Sequence, residues 1–218
     1  MQMEGQKEQS TLERIHAAAQ AEFMEKGFHA ASLRNIVKTA GVTTGAFYGY
    51  YDSKEALFEA LVGDAAEYVL NLFCGTVDDF EEMEGEEQTR QMFDVSQDVL
   101  MQILDYFYDN KDTFMLILTR AEGTKYADFG HQLVVREVES TYTYMETLKK
   151  MGHPVEPLNR NVIHMVASGM FSGLCETIIH DMPREEAKEY LMQLQRFYSA
   201  GWEELLGIRF GRESKESE

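Results

Sequence analysis

The aromatic residues of the segment TTGAFYGYY, residues 43–51, are the side chains of this sequence whose types and spacing best suit a chemical task. On a helix Phe47 and Tyr51 are four residues apart and share one face, so they can seat a short helix on a hydrophobic core. Tyr48 and Tyr50 then point off that face, where their hydroxyl groups can reach phosphate oxygens or base edges. The pattern indicates a small helix that presents tyrosines to nucleic acid.

Acidic residues avoid this part of the chain. The 218-residue sequence carries 38 acidic and 20 basic residues and a net charge of −18, which by itself repels phosphate at long range. Residues 27–51 nevertheless contain no Asp or Glu, and residues 1–60 hold 8 of the acids and 6 of the bases. A carboxylate in that segment would face the phosphates, so its absence favours a contact with nucleic acid.

Capping signals predict the helices that position these tyrosines. Ser10 and Glu13 fit a capping box at the start of a first helix, and Gly27 predicts its end. Ser32 can cap a short second helix, which Gly41 ends. Two short helices joined by a tight glycine-containing turn are the helix-turn-helix layout, whose second helix enters the major groove of DNA.

The third helix begins at the threonines of the same segment. Thr43 or Thr44 can serve as its N-cap, and the backbone amides of Thr43, Thr44 and Gly45 offer donors to a phosphate. Gly45 and Ala46 are small, so the backbone can approach the groove closely. A small helical domain can carry such turns and packed tyrosines without touching DNA, and this alternative stays open at this point.

Residues 32–58, SLRNIVKTAGVTTGAFYGYYDSKEALF, resemble the signature of the tetracycline-repressor (TetR) family of bacterial transcription regulators. The matching parts are AGVT at 40–43, GA at 45–46, FYGYY at 47–51 and SKE at 53–55. The resemblance implies an all-α protein with an N-terminal three-helix helix-turn-helix domain at residues 1–55. A larger helical ligand-binding and dimerisation domain would then occupy residues 56–218.

The resemblance also implies roles for single residues. Four of them would face bases or nearby phosphates: Thr43, Thr44, Gly45 and Tyr48. Tyr50 and Lys54 would hold phosphates, and Arg34 would add another contact. The sequence departs from the family pattern at Gly49, where a larger residue is usual, and at Tyr51, where Phe is usual. The Tyr51 hydroxyl therefore needs a partner or solvent.

The remainder of the chain predicts further helices and no strands. We expect helices at about 53–73, 88–108, 111–122, 126–151, 159–180 and 183–206. Gly75 and the acidic run 78–87 predict a solvated connection between the first two of these, and Gly152, Pro154 and Pro157 predict a loop. The chain is therefore expected to be all-α throughout.

A ligand pocket is expected where polar groups lie among bulky apolar residues on central helices. The candidates are Tyr106, Leu116, Arg120, Tyr126, His164, Met165, Phe171, Cys175 and Glu176. Arg120 or Glu176 would set the charge of the ligand. The alternative for each is a surface charge or a buried, paired charge.

A dimer interface is expected on the last two helices, through which the family dimerises. The helix at 159–180 carries a strip of small residues that permits close approach of another helix: Ser168, Gly169, Ser172 and Gly173. The helix at 183–206 carries a matching apolar stripe: Leu191, Leu194, Tyr198, Trp202 and Leu205. Together they would form the four-helix interface of a two-fold dimer, or else both are core of one protomer.

No residue pattern indicates a metal, a cofactor or catalysis. His164 and His180 are 16 residues apart on one expected helix, roughly 24 Å, so they cannot share an ion. We find no nucleophile–base arrangement and no phosphate-binding loop, so we expect a protein that is not an enzyme and has no cofactor.

Localisation is expected from the cysteines and from hydropathy. Two cysteines without motif spacing are typical of reduced thiols in a cytoplasm. The first ten residues lack an apolar signal core, and no apolar run approaches the roughly 18–20 residues of a membrane span. We therefore expect a cytoplasmic protein.

These expectations combine into a homodimeric DNA-binding regulator that reads a near-palindromic operator. Repression, relieved by a small molecule of unknown identity, is the mode that the resemblance implies. An activator or a corepressor-dependent regulator of the same fold stays open. A helical enzyme or a protein-interaction module is the alternative from another class.

Overall fold

The computed structural model describes residues 10–211, which form nine α-helices and no strand, so the predicted all-α fold is confirmed. The residues behind the signal-sequence argument, 1–9, lie outside the described range, as do residues 212–218. The helices are α1 (Thr11–Ala30), α2 (Leu33–Thr39), α3 (Thr44–Tyr48), α4 (Lys54–Glu81), α5 (Gly85–Asp109), α6 (Lys111–Arg120), α7 (Phe129–Lys150), α8 (Arg160–Ile179) and α9 (Arg184–Leu206).

The helices group into two compact units. The first unit contains the chain up to Ala66 together with Asp112–Ala127, and the second contains Glu67–Lys111 and the chain from Asp128 onward. Helices α4 and α6 therefore contribute residues to both units. The sequence alone places a boundary after residue 55, whereas the compact unit extends to Ala66 and adds the distant segment 112–127.

The core of the first unit is built around three phenylalanines. The ring of Phe58 from α4 lies 5.1 Å from that of Phe23 and 5.3 Å from that of Phe28, in edge-to-face arrangements. Aromatic pairs at such distances contribute about 0.5–1.5 kcal/mol beyond their buried area. Ile36 of α2 and Phe47 of α3 are fully buried as well. Helix α2 is thus held by Ile36 together with Val37, and α3 by Phe47 alone.

Helix α1 follows its predicted start, and its first, regular part ends at the predicted glycine. The Glu13 amide donates to Ser10 Oγ at 3.2 Å and the Ser10 amide donates to the Glu13 carboxylate at 2.7 Å, which confirms the capping box. Gly27 adopts a positive φ of 73°, yet the helix resumes and continues to Ala30. Gly27 therefore interrupts the helix where the sequence predicts its end, and residues 28–30 form a short segment beyond this kink.

Helix α4 is longer than the sequence predicts. The expected break at Gly75 is absent, and the helix continues through it to Glu81. Val77 and Phe80 beyond the glycine are 8 % and 6 % exposed. Burying those two side chains outweighs the roughly 1 kcal/mol that one helical glycine costs. The connection between α4 and α5 is therefore only residues 82–84.

The second unit is a bundle in which α8 packs against both α7 and α9, and α5 packs against α9. Helix α8 alone among the described helices is long and apolar enough to cross a membrane by length and composition. The expectation that no apolar run reaches that length is therefore wrong for α8. Its burial against α7 and α9 accounts for its composition, since a core helix is apolar on most sides.

The small residues of α8 make room for side chains of α9 in the same chain. A Cβ on Gly169 would lie 2.2 Å from the Tyr198 hydroxyl oxygen, and one on Gly173 would lie 2.4 Å from Leu194 Cδ2. Both glycines therefore permit close packing inside one protomer. At these two positions the small residues of α8 contact α9 of the same protomer, which is the core packing that the sequence left open as the alternative to a dimer interface.

Candidate functional site

Helices α2 and α3 form a helix-turn-helix in the first unit. Gly41 closes the turn at a φ of 65°, and the Val42 amide donates to the Val37 carbonyl at 3.2 Å. Thr43 is the N-cap of α3, because its Oγ1 accepts the Ala46 amide at 3.1 Å. The tight turn and the cap fix the direction in which α3 leaves α2.

Two aromatic residues attach α3 and its following turn to the unit. Phe47 is fully buried, as its position on the predicted inner face requires. Tyr51 is partly buried, and its hydroxyl is in hydrogen-bonding contact with His16 Nε2 of α1. Burial lowers the pKa of His16 and raises the pKa of Tyr51, which favours the neutral form of both groups. The unusual tyrosine at position 51 thus has its partner.

The opposite side of α3 is open to solvent. The side chains of Tyr48 and Tyr50 are 53 % and 49 % exposed. Four further residues that the sequence assigns to DNA contact are exposed too: Arg34, Thr43, Thr44 and Gly45. Arg34 makes no ion pair or hydrogen bond with any residue of the range 10–211. The structure therefore brings six of the seven predicted contact residues to the surface around α2 and α3.

Lys54, to which the family resemblance assigns a phosphate contact, makes hydrogen bonds within the protein. Its Nζ donates to the carbonyl oxygens of Phe28 at 2.7 Å, Ala31 at 3.1 Å and His29 at 3.2 Å, and it lies 4.5 Å from the centre of the Phe28 ring. An ammonium group has three donors, so all of them are engaged. The carbonyls at the end of α1 lack helical partners and carry partial negative charge. Lys54 therefore fastens the start of α4 to the end of α1.

Glu22 joins α1 to the start of α2, a role that the sequence analysis did not predict. This α1 carboxylate is 8 % exposed, and its Oε1 accepts from the Ser32 amide at 3.0 Å, Lys26 Nζ at 2.9 Å and Asn35 Nδ2 at 3.4 Å. Ser32 is the N-cap residue of α2, as predicted, but its side chain makes no capping bond. Glu22 instead receives an amide at the start of α2. The bond from Lys26, followed by the bond from Ser32, lowers the pKa of Glu22.

We expect Glu22→Gln to lower the free energy of unfolding by about 1 kcal/mol at pH 7, because a charged acceptor becomes a neutral one. Because the pKa of Glu22 is lowered in the folded state, its carboxylate stabilises the fold fully above pH 4.5, the pKa of the unfolded chain. This stabilisation is lost as the pH falls through the lowered pKa of the folded state. Urea unfolding between pH 3 and 7 measures both. Glu25→Gln, on the exposed side of α1, is the control. Equal pH profiles for the two variants would refute the role of Glu22.

The second unit contains a cavity of about 130 Å³. Its wall is mostly apolar and aromatic, with contributions from α4, α5, α7, α8, α9 and Phe210. Representative lining residues are Phe73, Val99, Tyr144, Phe171, Tyr198 and Trp202. A mostly apolar concave space with a few polar groups is the usual form of a small-molecule site.

Of the predicted ligand-binding residues, Phe171 lines this cavity and the others do not. Leu116, Arg120 and Tyr126 belong to the first unit, where Arg120 Nε donates to the Met24 carbonyl at 2.8 Å. Tyr106 stacks on Tyr68 with ring centres 4.0 Å apart.

The remaining four predicted ligand residues, all of α8, also lie away from the cavity wall. Met165 is 72 % exposed, and His164 lies beside His131 with ring centres 5.6 Å apart. The Glu176 carboxylate pairs with His180 at 2.6 Å. Burial raises the pKa of the Cys175 thiol to about 12. Across residues 10–211, no group of three or more His, Cys, Asp or Glu residues is placed to hold a metal ion.

The cavity has one carboxylate that the sequence did not single out, Glu137 of α7. Burial raises its pKa to about 7, and the neighbouring Arg136 opposes that shift. The Arg136 guanidinium is itself directed to Asp78 Oδ1 at 2.6 Å and Glu81 Oε1 at 2.9 Å. No sequence signal marks Glu137, because the chain has 38 acidic residues and only the packing shows which of them faces a cavity.

The comparisons with known proteins place the helix-turn-helix in a family. Residues 15–61 match the model of bacterial regulatory proteins, tetR family. The HTH-type transcriptional regulator YdgC of Bacillus subtilis is 49 % identical over 51 residues, which cover 23 % of this chain and 26 % of YdgC. The regulator UidR of Escherichia coli is 40 % identical over 65 residues, which cover 30 % of this chain and 33 % of UidR. The chain thus matches about a quarter to a third of the length of these relatives.

Beyond the helix-turn-helix, the fold of most of this chain is similar to that of a solved structure. The structure of SmeT, the repressor of the Stenotrophomonas maltophilia multidrug efflux pump SmeDEF, aligns with a TM-score of 0.58 over 88 % of this chain and 90 % of SmeT. The two sequences are 16 % identical, so this likeness concerns the fold alone. The matched segment carries the helix-turn-helix described above. Over residues 15–61 the resemblance to the tetR family of bacterial regulatory proteins, seen first in the sequence, is confirmed.

Proposed function

We propose that the protein is a sequence-specific DNA-binding transcription regulator that acts in the bacterial cytoplasm. The observation that carries this function is the exposed face around α3, within the segment that matches the family. Tyr48 and Tyr50 offer hydroxyl groups there, and Arg34 offers a cation that has no partner among residues 10–211. The nearest acidic residues along the chain lie outside 27–51, so no carboxylate within the segment opposes the DNA phosphates.

We infer that the protein acts as a homodimer through α8 and α9. Apolar side chains on these two helices remain in solvent: Phe197 is 73 % exposed, Met165 72 %, Val162 41 % and Met192 39 %. Most of the interface residues suggested by the sequence lie inward instead, since Leu191 is fully buried and Tyr198 and Trp202 line the cavity. Of the predicted strip on α8, Ser172 is the member with an exposed side chain. A two-fold axis at this face would bury the exposed methionines and Phe197.

The cavity of the second unit supports regulation by a small molecule. A ligand changes DNA affinity only if it binds one arrangement of the dimer better than another. We propose that ligand binding favours an arrangement with the wrong spacing of the two α3 helices, which releases the operator. Repression is the corresponding mode, because a protein bound across a promoter excludes the polymerase.

A footprint on the DNA that flanks the gene, taken across a salt series, tests this function. We expect a protected near-palindrome whose half-sites are about one helical turn, 34–36 Å, or a multiple of it apart. The logarithm of the affinity should fall linearly with the logarithm of the salt concentration, with a slope of about −0.9 for each phosphate contacted. The measurement is made with the full chain.

Two results would contradict the proposal. Binding that is insensitive to salt would indicate a protein-interaction module, because an apolar interface responds little to ionic strength. A folded protein that protects no site, either in the flanking DNA or after selection from random sequences, would show that this helix-turn-helix does not bind DNA.

A further inference from the structure

The cavity of the second unit has an uneven set of polar groups. None of its lining residues is Lys, Arg or His, while Glu137 supplies a carboxylate. An anionic ligand would meet no counter-charge there and would meet one like charge. Burying a charge without a partner is unfavourable, so the wall disfavours organic acids and phosphates.

A second hydrogen-bond acceptor among the lining residues also favours a ligand that donates hydrogen bonds. Gln195 is 2 % exposed, and its Nε2 donates to the Phe93 carbonyl at 3.1 Å and to Ser96 Oγ at 3.0 Å. The carbonyl accepts only, which fixes the amide nitrogen on that side. The Gln195 Oε1 then has no hydrogen-bond partner among residues 10–211. An unpartnered buried acceptor is costly unless a ligand donates to it.

Several hydroxyl groups of the wall are already engaged. Tyr144 is bonded to Thr89 at 2.8 Å, and Thr76 and Thr141 donate to carbonyls of their own helices at 2.9 Å. Aromatic rings line much of the remaining surface, and their faces attract cations. Of the charged side chains, the wall thus offers only the Glu137 carboxylate, which is an acceptor.

We propose that the effector of this protein is an apolar amine, bound in the cavity with its ammonium group paired to the Glu137 carboxylate. The Gln195 carbonyl oxygen provides a second acceptor on the same wall, and the hydrocarbon part of the ligand occupies the aromatic remainder. The inference deepens the proposed function, on which its regulatory meaning rests. Binding itself is measurable without DNA.

Trp202 gives a direct readout, because it lines the cavity and is the single tryptophan of the chain. Decylamine, decanol and decanoic acid form a probe series with one chain length and three head-group charges. We expect decylamine to change the Trp202 fluorescence with an affinity at least tenfold higher than that of decanol, and decanoic acid to bind most weakly at pH 8. The reverse order of amine and acid would overturn the proposal, and so would the absence of a saturable change with all three probes.

Glu137→Gln is nearly isosteric and removes the charge. We expect it to lower decylamine affinity at least tenfold and to leave decanol affinity within about twofold. Glu139→Gln, an identical change on the exposed side of α7, is the control and should alter neither. Equal loss of all probes in Glu137→Gln would show that its charge does not distinguish them, which contradicts the charge pairing.

A pH series on the unaltered protein tests the same pairing without a variant. The other titratable groups on the wall are the phenols Tyr144 and Tyr198, and the nearby Arg136 is occupied by Asp78 and Glu81. Because the pKa of Glu137 is raised to about 7, its ionised fraction rises about tenfold from pH 6 to pH 8, and decylamine affinity should rise by the same factor. A flat profile would overturn the proposal. Failure of decylamine to release DNA, with binding intact, would instead refute the proposed regulation.

Discussion

Thr44→Glu is expected to lower the affinity for operator DNA at least about 100-fold, a loss of roughly 3 kcal/mol. Thr44 is the first residue of α3 and is exposed, so a carboxylate there would face the phosphates. The same charge lies at a helix N-terminus, where negative side chains stabilise the helix by about 0.3–1 kcal/mol. The variant should therefore unfold no more easily than the unaltered protein. A loss of DNA affinity without a loss in the free energy of unfolding is what a surface contact with DNA predicts.

Fluorescence anisotropy with a labelled operator measures the affinity, and urea unfolding measures the stability. Gln132→Glu adds the same charge on the exposed surface of α7, so it controls for net charge. If the two variants bound the operator equally well, α3 would not be the recognition helix. Thr44→Ala is a milder version, which we expect to weaken operator binding more than binding to random DNA.

Lys54→Met is expected to lower the free energy of unfolding by about 2–3 kcal/mol, because it removes three hydrogen bonds from a charged donor. Methionine keeps the apolar length of the side chain, so the change leaves packing nearly intact. The carbonyls of Phe28, His29 and Ala31 would lose the ammonium group that ties them to α4. We expect the DNA affinity of the folded fraction to change much less than the stability.

Lys38→Met is the matched control for Lys54→Met, since Lys38 is an exposed lysine of α2 in the same unit. Urea unfolding and anisotropy are measured on both variants. Should Lys54→Met match Lys38→Met in stability but lose more DNA affinity, the phosphate contact implied by the family resemblance would be the better assignment.

Local signals predicted the helix-turn-helix well. The capping box at Ser10, the turn at Gly41, the cap at Thr43 and the inward Phe47 all depend on residues within a few positions of one another. Tyr51 was placed correctly on the inner face, and the sequence also indicated that its hydroxyl needs a partner. That partner, His16, is 35 positions away, and no local pattern identifies it.

The residues that sequence reasoning missed depend on distant contacts. Lys54 matches a family position, but its donors are occupied by carbonyls 23 to 26 residues earlier in the chain. The Ser32 amide, just before α2, donates to Glu22, ten positions away, and the Ser32 side chain makes no capping bond. Glu137 differs from other acidic residues only in what surrounds it. The pocket therefore could not be read from residue types, since burial and a shared wall arise from packing.

The discontinuity of the first unit has a consequence for anyone who recombines regulators of this kind. A chimaera cut at residue 66 would take α1 to α3 and leave behind 112–127, the segment whose Arg120 donates to the Met24 carbonyl. The transplanted head would lack that bond. The exchangeable unit therefore consists of two segments, the chain up to residue 66 and residues 112–127. A chimaera that transfers both segments should be more stable than one that transfers the N-terminal segment alone.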